Sequence, residues 1–154
     1  MGVYLDLAKA FDIVSHEKLL RTLYKAGINV SLLDWFASYL NGRRHRVRIE
    51  GVCSENLISA WGTFQGSVLG PLLFVIYINN RFALPLKASV MGYADDTSLL
   101  YSVATREESE RDYEHDRKIL FPWLHNELLH FNRDKCKYVI HAYKTPPVCG
   151  GLLH

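Results

Sequence analysis

A chain of 154 residues, 49% hydrophobic and 22% charged, is long enough for one domain with a real core, and its balance argues against disorder. A formal charge of +2 is too small to diagnose a nucleic-acid or membrane partner, so local clustering must carry that argument. Cys53, Cys136 and Cys149 form an odd, widely spaced set with neither a disulfide framework nor metal-ligand spacing, which points to a reducing compartment inside the cell.

In chain order, GVYLDL reads first, as a buried strand with Val3, Leu5 and Leu7 as apolar neighbours of Asp6. A core strand so near the first residue implies that a segment precedes it, and no basic start with a long apolar stretch marks a signal peptide. SHEKLLRTLYKAGI predicts a helix with Ser15 as N-cap, Glu17 favouring its positive start, Leu19, Leu20 and Leu23 on an apolar face, and Gly27 as the stop. SLLDWFASYLNG repeats the plan, capped by Ser31 and ended by Asn41-Gly42. GRRHRVRIE then alternates as a strand. Arg44, Arg46 and Arg48 make one side basic, His45, Val47 and Ile49 face the other way, and ENLISAW is the expected return partner.

GTFQGSVLGPLLFVIYINN opens as a glycine-rich loop and enters a helix after Ser67, with Pro71 tolerated in the first turn. Its apolar run, Val68 to Ile78, is about half of what a bilayer span requires, so it reads as a buried helix. LKASVMGYADDTSLLYSV predicts two strands around an acidic pair. TREESERDYEHDRKILFPWLHNELLHF predicts a solvated helix broken at Pro122. CKYVIHAY is the expected last strand, and residues 143–154 are expected to form a loose tail. This order predicts an α+β or α/β fold with helices packed on one face of a sheet.

The acidic pair is the chemical question. Two adjacent carboxylates in an apolar hairpin repel, and burying them without compensation is costly. An isolated Asp-Asp is most often a turn. Asp6, however, lies in a strand, near Asp12. If that strand neighbours the acidic hairpin, Asp6 and Asp95 converge, and a hard divalent cation such as Mg²⁺ offsets their repulsion. The seven histidines show no ligand spacing.

VYLDLAKAFDIVSHEKLL, FQGSVLGPLLFVIYINN, GYADDTSLL and FNRDKCKYVI stand in the order of polymerase motifs A, B, C and D. Over roughly Val3 to Ala142 the chain resembles the reverse transcriptase of non-LTR (LINE-like) retrotransposons. That resemblance implies an α+β polymerase palm of residues 1–142, a small antiparallel sheet with helices on one face, and fingers and thumb largely missing. It implies an RNA-directed DNA polymerase acting on an RNA template, a DNA primer and dNTPs, with two Mg²⁺ ions (or Mn²⁺), in the nucleus or cytoplasm and away from membranes. Asp6 matches the motif A aspartate, and Asp95 and Asp96 match the motif C pair, which implies metal binding and catalysis. Phe11 falls at the steric gate against a ribose 2′-hydroxyl, and Gln65 and Gly66 match the loop that approaches the nucleotide. Tyr93 matches the aromatic residue near the primer end. Lys135 stands where a lysine could protonate departing pyrophosphate, with Lys137 as a competitor. Arg44, Arg46 and Arg48 are the expected contacts with template or primer phosphates. The chain departs from the family pattern at Thr63, Phe64 and Asn80, and the alternative reading is an inactive remnant or nucleic-acid-binding domain that keeps the fold.

Overall fold

The computed structural model describes residues 1–142 and 145–150. Its elements are, in order, β1 (Gly2–Leu5), α1 (His16–Lys25), α2 (Val30–Leu40), β2 (Arg44–His45), β3 (Arg48–Ile49), β4 (Val52–Cys53), β5 (Leu57–Ile58) and α3 (Leu69–Ile78). A 3₁₀ turn at Asn79–Ala83 follows, then β6 (Ser89–Tyr93), β7 (Asp96–Leu100), α4 (Arg106–Asn126), β8 (Lys137–Ala142) and β9 (Thr145–Gly150). Helices and small antiparallel sheets are mixed, in two compact units: Met1–Ala10 with the chain from Asn79 onward, and Phe11–Ile78.

The first unit holds a five-stranded antiparallel sheet in the order β6-β7-β1-β8-β9. β1 lies at its centre because its alternation suits a covered strand: Val3, Leu5 and Leu7 are buried, while Tyr4 is exposed. Its register against β7 runs from Gly2 opposite Leu100 to Leu5 opposite Thr97. The expected tail contains β9, which pairs with the open edge of β8; Pro146 and Pro147 suit an edge strand, where a missing N–H is tolerated. Residues 143, 144 and 151–154 of that tail lie outside the described residues.

Among the described residues of this unit, α4 is the one α-helix. Thr105 and Glu108 form a full capping box at its start. Contrary to the expected break, the helix continues through Pro122. The ring removes one ladder donor, and the buried Leu120 and Leu124 on either side hold the turns in place. Asp116, fully buried, ties α4 to the sheet by accepting the Lys87 and Ala88 amides at 2.8 and 2.9 Å and the Tyr101 hydroxyl at 3.1 Å.

In the second unit α1 starts as expected, with Ser15 Oγ accepting the Lys18 amide, and Leu19 and Leu23 buried. α2 starts earlier than expected. Asn29, not Ser31, is its cap: Asn29 Oδ1 accepts the Leu32 amide at 2.9 Å, and its carbonyl takes the Leu33 amide at 3.0 Å. The basic stretch is also not one continuous strand. β2 pairs with β5 and β3 with β4, while Ser54 bonds Val47 through both its amide and its hydroxyl between the two ladders. Ladders of two residues cannot bury a face, and Val47 and Ile49 are exposed, as are the arginines.

Candidate active site

The end of β1 and the β6–β7 hairpin build the site. Just past β1, the Asp6 carbonyl accepts the Asn132 amide at 2.9 Å, Leu7 bridges Phe131, and the Ala8 amide donates to the His130 carbonyl at 2.8 Å. The backbone that carries Asp6 is therefore fixed. Its side chain, 19% exposed, opens into a cleft of about 440 Å³ that Tyr4, Asp96, Ser98, Lys135 and Lys137 also line. Strand alternation explains this set. With Tyr4 opposite Ser98 and Leu5 opposite Thr97, positions 4 and 6 share a face with positions 96 and 98. Lys135 Nζ stands 3.6 Å from Asp6 Oδ2.

Asp95 occupies a different position. The pairing of Tyr93 with Asp96 leaves Ala94 and Asp95 as a two-residue turn. Ala94 has φ +50°, a conformation that costs a non-glycine residue about 1 kcal/mol and tends to collect at functional sites. The cleft brings Asp6, Asp96 and Lys135 together, and Asp95 is not among its lining residues. Its charge bears on Arg81, whose guanidinium pKa is lowered by burial and partly restored by the Asp95 carboxylate. Tyr93, 84% exposed, opens the turn to solvent.

Among the described residues no three His, Cys, Asp or Glu side chains converge into a metal-binding cluster. Besides Asp134, the cleft supplies a pair of carboxylates, Asp6 just past β1 and Asp96 at the start of β7, partly open to water, a donor type suited to a hard divalent ion that keeps some of its water. Asp95 adjoins that pair in the chain.

The remaining expected residues lie in the second unit. Phe11 stacks on Phe74 at 4.4 Å between ring centroids, and its carbonyl accepts the Thr63 amide at 2.7 Å. Gln65 Nε2 donates to Asp12 Oδ1 at 3.2 Å, and Gly66 has φ +79°. Gly62 is required just before: its φ is +88°, and a Cβ there would lie 2.8 Å from the Asp12 carbonyl. Phe64 takes part in an aromatic stack. It meets Tyr39 edge-on, and the Arg43 guanidinium lies over both rings at 4.3 and 4.5 Å. Arg44, Arg46 and Arg48 are all exposed. Arg44 lines a second cleft, of about 550 Å³, with Arg43, His45, Trp61 and Gln65.

Sequence reasoning passed over Arg43, Trp61 and Arg81. The doubled arginine at 43 and 44 was the available signal for the first. For Arg81 it was a lone charge between two apolar runs.

The profile of the family "Reverse transcriptase (RNA-dependent DNA polymerase)" matches residues 1–147. The chain is similar to the "Probable RNA-directed DNA polymerase from transposon BS" of Drosophila melanogaster, 33% identical over 87% of this chain and 16% of that protein. It is also similar to the polymerase from transposon X-element, 29% identical over 95% of this chain and 17% of the relative, and to that from mobile element jockey, 29% identical over 94% and 16%, both from Drosophila melanogaster. The chain thus spans about a sixth of the length of these relatives. Among the described residues no helix is long and apolar enough to cross a membrane.

Proposed function

The chain belongs to the reverse transcriptase family, among the polymerases of non-LTR retrotransposons, and on that premise we propose that it is the palm segment of an RNA-directed DNA polymerase. The observation that supports this reading best is the cleft shared by Asp6, just past β1, and Asp96, at the start of the adjacent antiparallel β7. In the reaction a primer 3′-hydroxyl gives up its proton to solvent, its oxygen forms a bond to the α-phosphorus of a dNTP, the α–β phosphoanhydride bond breaks, and pyrophosphate leaves. Asp6, Asp95 and Asp96 would hold the divalent ions. Mg²⁺, when bound, supplies positive charge at the attacking and leaving oxygens.

The chain's own groups do the rest. Lys135 holds a proton at Nζ beside the Asp6 carboxylate and delivers it to the departing pyrophosphate, with Lys137 on the same cleft as the alternative donor. Phe11, braced by Phe74, excludes the 2′-hydroxyl of a ribonucleotide, because a packed ring yields less than a flexible chain. Gln65 and Gly66 meet the nucleotide through a loop that glycine keeps open to close approach. Exposed Tyr93 meets the primer terminus, and Arg44, Arg46 and Arg48 neutralise template or primer phosphates.

A second reading has its own support. The Lys135 ammonium stands 3.6 Å from Asp6, where a cation would bind, as in a nucleic-acid-binding domain without catalysis. One assay separates the two. The chain is given an RNA template with an annealed DNA primer, dNTPs and Mg²⁺, beside Asp95→Asn. Extension that needs both Mg²⁺ and Asp95 supports the polymerase. Primer–template binding without extension, equal in both proteins, supports the binding domain.

A further inference from the structure

We propose that Arg81 is a positioning residue for Asp95: a buried guanidinium that pins the β6–β7 turn so that the carboxylate is set for a divalent cation before the cation arrives. This rests on the reading of Asp95 as a cation ligand given above.

Arg81 is only 4% exposed, and arginine is almost never fully buried unless its charge is compensated. Nη1 donates to the Ala94 carbonyl at 3.2 Å and to Thr97 Oγ1 at 3.0 Å. One acceptor immediately precedes Asp95 and the other lies two residues after it, so a single nitrogen ties both sides of the turn. The bond to Ala94 also restrains the residue with the strained positive φ. The hairpin is cut to admit the group. Gly92 pairs with Thr97, and a Cβ at Gly92 would overlap the guanidinium. The ring of Phe82 backs it at 4.9 Å.

The arrangement is incomplete as a purely structural one. Arg81 Nε is buried without a hydrogen-bond partner, and among the described residues Arg81 makes no ion pair. Two neutral acceptors are poor compensation for a buried cation. An apolar side chain would fill the site at lower cost to stability, whereas a guanidinium adds directed bonds to the turn and a field on Asp95.

The test is direct Mn²⁺ binding, read from the electron paramagnetic resonance signal of the free ion, with thermal unfolding followed in parallel. Arg81→Gln should weaken Mn²⁺ binding about tenfold, while Arg81→Lys, which keeps a charged donor, should stay within about threefold of the wild type. Gly92→Ala keeps every charge but displaces the guanidinium, so it should weaken binding like Arg81→Gln and covers the case in which that variant does not fold. Unchanged affinity in folded Arg81→Gln or Gly92→Ala overturns the proposal alone. A wild-type chain that binds no Mn²⁺ overturns the cation reading, and the role of Arg81 with it.

Discussion

Asp116 shows how much one buried carboxylate can organise. Its two oxygens satisfy two backbone amides ahead of β6 and one tyrosine hydroxyl, joining α4 to the strand ends. Asp116→Ala leaves those donors buried without partners and should cost about 3 kcal/mol in urea unfolding. A loss below about 1 kcal/mol would show that water replaces the carboxylate. Tyr101 adds a pH dependence. Burial first, then the Asp116 charge and its hydrogen bond, push the Tyr101 hydroxyl far above its ordinary 10.0. The unfolded chain releases that proton near its ordinary value while the folded chain keeps it. The stabilisation is therefore complete below pH 10 and is lost above it, at about 1.4 kcal/mol per pH unit for this group. Burial raises Tyr113 in the same direction. Unfolding measured from pH 8 to 11 should show the fall, and Tyr101→Phe should make it shallower.

At the scale of elements, what the sequence made legible depended on local rules. The alternation of Val3, Leu5 and Leu7 placed β1, and the acidic pair marked the hairpin turn to within one residue, since Ala94 and Asp95 form the turn and Asp96 already belongs to β7. Ser15 was readable as a cap because its bond is local, reaching the Lys18 amide. Asn29 and Ser31 were both good caps two residues apart, and local chemistry could not choose between them. Pro122 misled for a related reason: propensity argued for a break, and buried neighbours outweighed it. The carboxylates at 6 and 96 were legible as chemistry, but their common face followed from a register between residues about ninety positions apart. Arg81 was missed because nothing local announces that an arginine will fold inward. Pro122 offers a check. It is exposed within a helix, so Pro122→Ala should raise stability by up to about 3 kcal/mol in thermal or urea unfolding. A destabilised variant would mean that the ring shapes the helix path.

At the scale of the whole molecule, membership of the reverse transcriptase family meets a carboxylate-lined cleft beside β1 and β7. The net charge of +2 gives little general attraction for nucleic acid, so binding should depend on the exposed arginines of the β2–β3 stretch. Replacing Arg44, Arg46 and Arg48 together by Gln should weaken RNA–DNA duplex binding and lower the slope of log affinity against log salt by up to about 3. An unchanged slope would move the interface elsewhere. The claim on which the rest depends is narrower: Asp6, just past β1, and Asp95, in the β6–β7 turn, serve one cation site. A double-mutant cycle of Mn²⁺ affinity with Asp6→Asn, Asp95→Asn and the pair tests it most directly. Either single substitution should remove most of the affinity, and the double variant should bind no more weakly than the worse single one. Losses that simply add, or a single variant that binds as well as the wild type, would contradict it.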